Sequence, residues 1–145
     1  MIKTNILIVE DEIIIAKNIQ YMLQGLGYNV CGIEDTGEKT IKKAEEAQPE
    51  LILMDIKIKG DLNGIQTAQQ IQLIYNIPIV FLSAYSDEKT LKEAKMINQF
   101  GYITKPFEES ELFSTIEMAL YFHKSDKEKD QNTIQNLINK QKLVF

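Results

Sequence analysis

Ile6-Leu7-Ile8-Val9-Glu10-Asp11-Glu12 is the stretch that decides the fold. Four aliphatic residues run without a polar interruption and stop at three acids, the pattern of a short strand covered on both faces. Strands of that kind belong to parallel sheets flanked by helices. Working outward, the pattern returns at 51–54 and 79–82, and more weakly at 28–33 and 101–103. Helical spacing fills the intervals 12–24, 38–47, 64–75, 87–97 and 109–122. Strict alternation of strand and helix predicts an α/β fold: a doubly wound, five-stranded parallel sheet with right-handed crossovers and five helices. Ligands of such sheets sit beyond the carboxyl ends of the strands, so the residues closing each strand are the candidate functional residues.

Those residues are Glu10 and Asp11 after strand one, Asp55 after strand three, Ser83 after strand four and Lys105 after strand five. In the order 2-1-3-4-5, strands one and three are neighbours and Glu10, Asp11 and Asp55 share one pocket. Three close carboxylates repel unless a cation intervenes. Oxygen ligands of this kind suit magnesium, which takes one or two carboxylates together with phosphate oxygens. The set therefore predicts phosphoryl transfer. Asp55 is the nucleophile, Lys105 supplies charge and Ser83 a hydroxyl donor to the phosphoryl oxygens. Taken singly, Glu10 or Asp11 reads equally as a first-turn helix acid, Ser83 as a turn hydroxyl and Lys105 as a surface amine. Only their joint placement on four strand ends is specific.

Composition narrows the function classes. The chain has 145 residues, enough for one domain with a single core. All 16 of its bases are lysine, against 21 acids, for a net charge of −5. Without arginine, bidentate phosphate forks and guanine contacts lose their usual residue, so direct nucleic-acid binding is not expected. The single cysteine, Cys31, forms no internal disulfide and suits a reducing, cytoplasmic setting. The longest apolar run, 77–82, is far short of a membrane span, so no membrane association is expected. After His123 the chain turns polar. Residues 124–145 read as a tail, either a helical extension or partner-binding segment carrying Ile134, Leu137 and Ile138 on one face, or disordered.

The four blocks 6–12, 51–55, Ile79-Val80-Phe81-Leu82-Ser83-Ala84 and Gly101-Tyr102-Ile103-Thr104-Lys105-Pro106-Phe107, in that order, resemble the receiver domain of two-component response regulators. The resemblance covers 5–123, with 1–123 as the receiver domain and 124–145 as tail or linker. It implies a flavodoxin-like sheet and a phosphoacceptor switch taking phosphate on Asp55 from a partner sensor histidine kinase. It further implies magnesium held by Glu10, Asp11, Asp55 and the backbone carbonyl of Lys57, phosphoryl contacts from Ser83 and Lys105, and a cis Lys105-Pro106 bond. Tyr102 is then the switch aromatic that responds to Ser83, and the output face is the fourth predicted helix, strand five and the fifth predicted helix, through which a homodimer could form. Such a protein regulates rather than turns over a substrate, although it assists its own phosphorylation and dephosphorylation. Two features depart from the commonest family pattern: the segment 56–64 lacks a proline and is one residue longer, and Lys57 and Tyr85 flank the position where hydrolysis is tuned.

A magnesium phosphatase using an aspartyl phosphate is the alternative. It would want a second acid two residues after Asp55, where Lys57 stands. A flavin-binding relative would want a phosphate-cradling loop after strand one, where Glu10-Asp11-Glu12 would repel the phosphate. The 22 residues after His123 are too few for a helix-turn-helix effector, so a stand-alone receiver or one cut from a longer chain is expected.

Overall fold

The structure, a computed structural model, describes residues 2–84, 92 and 101–144. In chain order the elements are β1 (Asn5–Val9), α1 (Ile13–Gly25), β2 (Asn29–Glu34), α2 (Gly37–Ala47), β3 (Leu51–Asp55), α3 (Gly64–Ile74), β4 (Ile79–Ala84), β5 (Gly101–Lys105) and α4 (Glu109–Val144). The strands lie in the order β2-β1-β3-β4-β5, and every pairing is parallel. This is the expected flavodoxin-like sheet. The predicted helix over 87–97, and Tyr85 with it, lie outside the described residues.

Period-two alternation along the strands divides the core into two layers. Ile6, Ile8, Leu51, Leu53, Val80, Leu82 and Ile103 face α1 and α4, where Ala16, Ile19, Leu23, Leu112, Ile116 and Ala119 meet them. Leu7, Val9, Ile52, Met54, Ile79 and Phe81 face α2 and α3, where Ala44, Ile65, Ala68 and Ile71 complete the layer. Both faces of the central strands are therefore dry. The uninterrupted aliphatic runs are what such strands need, and any charge within them would be buried without a partner.

Local chemistry sets the helix ends. Thr36 caps α2 by accepting from Lys39 N–H, and Gln48 closes it in the left-handed region with φ 45°. Asn63 and Gln66 form a reciprocal capping box at the start of α3, with hydrogen bonds of 2.8 and 2.9 Å. Tyr28 OH donates to Glu117 Oε2 at 2.8 Å, pinning the entry to β2 against α4.

The last helix is longer than the spacing predicts. The spacing predicts a helix over 109–122 and leaves the tail open between helical extension and disorder; the helix runs 36 residues to Val144. Residues 124–144 contain neither glycine nor proline, so nothing in them stops a helix that the domain has already nucleated. His123 Nε2 lies 2.9 Å from the Asn76 carbonyl as the helix leaves the sheet. Beyond it Ile134, Leu137 and Ile138 are exposed.

Candidate functional site

Parallel strands bring their carboxyl ends to one edge of the sheet, and four of the five strands end there on the predicted residues. Glu10 follows β1 and is almost fully buried, its N–H donating to the Glu34 carbonyl at 3.0 Å. Asp55 closes β3 and is 7% exposed. Ser83 lies in β4, fully buried. Lys105 ends β5, and Asp11 borders the pocket half-buried.

The side chains converge as well as the backbones. Lys105 Nζ donates to Glu10 Oε1 at 2.5 Å and to Asp55 Oδ2 at 2.8 Å. Asp55 Oδ1 accepts from Lys57 N–H at 3.0 Å. One carboxylate oxygen from each of Glu10, Asp11 and Asp55 lies within 4.8 Å of the others. Oxygen donors at that spacing, with no histidine or cysteine among them, fit a hard divalent ion such as magnesium rather than zinc. The donor set therefore suits the ion that the sequence predicts.

Electrostatics agree with that fit. Burial pushes the Glu10 carboxyl from 4.5 up to about 7, the hydrogen bond with Asp55 adds to the rise, and Lys105 opposes it. Burial alone would lower Lys105, but Asp55 and Glu10 outweigh it and hold the ammonium above its ordinary range. The pocket thus holds more negative charge than one lysine neutralises.

Ser83 Oγ is buried with no hydrogen-bond partner among the described residues. Such an orphan is costly, and a catalytic role is one of the reasons a native site keeps one. Tyr102, on β5, is 41% exposed and pairs in register with Phe81. The Lys105-Pro106 bond is cis.

Two features were not read from the sequence. Thr36 forms an isolated parallel bridge with Lys59, tying the long loop after Asp55 to the start of α2. Gly64 lies directly behind the Asp55 backbone. Only the glycine left a trace in the sequence, at a helix start nine residues past a candidate nucleophile.

Comparison with known proteins gives the class. The model of the response regulator receiver domain matches residues 6–117, so this chain belongs to the receiver domains of response regulators. It is 33% identical over 128 residues to the phyllosphere-induced regulator PhyR of Methylorubrum extorquens, covering 88% of this chain and 47% of that protein. It is 34% identical over 115 residues to the transcriptional regulatory protein PdtaR of Mycobacterium tuberculosis, covering 79% of this chain and 56% of that one. The chain spans about half the length of these curated relatives. Among solved structures it resembles the signal receiver domain of a modulated diguanylate cyclase from Desulfovibrio desulfuricans, with a TM-score of 0.81, 36% identity, and coverage of 86% of this chain and 99% of that one. Among the described residues, no helix is long and apolar enough to cross a membrane.

Proposed function

We propose that this receiver domain is a phosphoacceptor switch that takes a phosphoryl group on Asp55 from a partner histidine kinase. The observation that carries the reading is the meeting of Glu10, Asp11, Asp55 and Lys105 at the strand ends, with Ser83 Oγ on the adjoining strand β4 buried and without a partner among the described residues. An Asp55 carboxylate oxygen forms the bond to phosphorus while the donor's bond to phosphorus breaks and its electron pair leaves with the donor. Lys57 N–H orients the carboxylate through Oδ1. Lys105 is already at the carboxylate and supplies positive charge to a phosphoryl oxygen as it arrives, while Ser83 donates its hydroxyl to another. Glu10, Asp11, Asp55 and the Lys57 carbonyl would hold magnesium, which when bound neutralises the carboxylates against the incoming phosphoryl oxygens.

The finer readings follow from the same site. Ser83, drawn toward the phosphoryl group, vacates space that Tyr102 enters from its exposed position, altering the face around β5 and α4. A second copy packing on that face would make the modified form a dimer. The domain ends near His123, with 124–145 as extension or linker. A reducing, cytoplasmic setting and the absence of direct nucleic-acid contact accord with the lone cysteine and the lack of arginine.

The test is incubation with magnesium and acetyl phosphate, followed by intact mass and tyrosine fluorescence, with sedimentation in the presence and absence of beryllium fluoride. A gain of one phosphoryl group that Asp55→Ala abolishes is the expected result. No gain, or one that survives Asp55→Ala, refutes the reading, and an unchanged monomer refutes the dimer.

A further inference from the structure

Behind Asp55 the chain has no slack. Gly64 opens α3, and a methyl group built on it would overlap the Asp55 carbonyl oxygen while standing 2.8 Å from Ile56 Cα and 2.9 Å from the Asp55 carbonyl carbon. All three are backbone atoms of the nucleophile and the residue that follows it. Unlike the tip of a flexible side chain, they cannot swing aside within a closely packed interior.

The contact is held from both directions. Gly64 N–H donates to the Ile56 carbonyl at 2.8 Å, drawing α3 onto the strand end, and the Asn63–Gln66 capping box fixes the first turn of that helix. A second glycine stands one layer further out. A methyl on Gly37, the first residue of α2, would overlap Thr67 Oγ1 and lie 2.9 Å from Leu62 Cβ, both of them side-chain atoms.

We infer that Gly64 is a positioning residue for phosphoryl transfer: by letting the start of α3 seat against the peptide of Asp55, it sets where the phosphoacceptor carboxylate stands. The inference rests on Asp55 being the phosphoacceptor. Asp55 Oδ1 meets Lys57 N–H at 3.0 Å and Oδ2 meets Lys105 Nζ at 2.8 Å. Both contacts depend on where residues 55–57 lie, and Gly64 touches that segment from behind. Glu10 follows β1 and Lys105 ends β5, strands that α3 does not reach through this contact. A side chain at position 64 therefore shifts the nucleophile relative to its partners instead of moving the site as a body. The Gly37 layer lacks this consequence, because its added methyl meets side-chain atoms of Thr67 and Leu62 and not the backbone of residues 55–57.

The experiment compares the wild-type chain, Gly64→Ala and Gly37→Ala in magnesium and acetyl phosphate. It measures the initial rate of phosphoryl gain by intact mass, the melting temperature, and the backbone amide shifts of Asp55, Ile56 and Lys57. A misplacement of about 1 Å costs reactions of this kind roughly 100-fold, so Gly64→Ala is expected to be folded, with those three amides moved and the rate reduced roughly 10- to 100-fold. Gly37→Ala is expected to melt lower and keep a rate close to wild type, a split that a merely structural role for Gly64 would not produce. Gly64→Ala phosphorylated at the wild-type rate overturns the inference. Should Gly64→Ala not fold, the double variant Asn63→Ala/Gln66→Ala loosens the same helix start without adding an atom; a slowed rate supports the inference and an unchanged one overturns it. A wild-type chain that takes no phosphoryl group overturns the functional reading and the inference with it, so the two failures are told apart.

Discussion

Lys105 Nζ, carried by the last strand of the sheet, stands 2.5 Å from Glu10 Oε1 at the end of the first, 95 residues away in sequence. The ammonium also reaches Asp55 at 2.8 Å and so pairs with two of the three carboxylates that would hold magnesium. Removing it has opposite effects on folding and on metal binding. Lys105→Ala leaves an almost fully buried Glu10 and its neighbour without their cation. Since Lys105 is 22% exposed, the loss should fall between that of a surface pair and that of a fully buried one, at about 2 kcal/mol. Urea unfolding in a chelator should show that loss, while a magnesium titration should show tighter binding. Weaker or unchanged magnesium affinity would count against the lysine as a competitor for the site.

Stability in the absence of metal should fall as pH rises. Glu10 is pushed from 4.5 up to about 7, chiefly by burial, so the folded state holds its proton where the unfolded state has released it. Folding stability from this group is complete below pH 4.5 and is lost as pH rises through about 7, by up to about 3 kcal/mol. Melting curves in chelator across that window should decline, and those of Glu10→Gln should decline less. Because magnesium favours the ionised carboxylate, its stabilisation should be greater at pH 8 than at pH 6. Equal stabilisation at both would contradict the assignment.

Ser83→Ala separates stability from function. The hydroxyl is buried without a partner among the described residues, so its removal should leave the resting chain as stable as wild type or more stable by about 1 kcal/mol. The same variant should gain phosphate more slowly from acetyl phosphate. A marked loss of stability would mean that the hydroxyl is already satisfied in the resting protein.

Cys31 should be a sluggish thiol. Burial pushes its pKa up, and the half-buried sulfur lies among the residues packed on the α2–α3 layer. Alkylation at pH 8 should therefore be much slower in the native chain than in urea. Equal rates would place the thiol in open solvent.

The β1 run and the acids closing it made the sheet readable before any coordinates, because a strand dry on both faces can be built from few residue types. Asp55 was legible for a related reason: a charge ending a run of four apolar residues would be costly without a partner, so a purely structural reading of it is the weaker one. Distances that depend on several strands at once were not legible. The spacing of Lys105 and Glu10 in sequence says nothing of the direct contact between them, which follows only when five strands are laid in register. The Thr36–Lys59 bridge is a backbone pairing with no side-chain signature. The sequence left the continuation of α4 open between helical extension and disorder because a polar stretch of good helix formers looks the same in either case.

That long helix also has the geometry of a lever. Residues 124–144 extend about 32 Å past the sheet at the α-helical rise, so a tilt of about 10° at the root sweeps the tip through roughly 5 Å. Azimuth is preserved along it too. Ile134 follows Ile116 by about five full turns, so the exposed aliphatic stripe at the tip points the same way as the stripe buried against the sheet. A twist of the helix at its seat reaches Ile134, Leu137 and Ile138 undiminished, and one residue inserted after His123 would turn that stripe by about 100° while leaving the domain untouched.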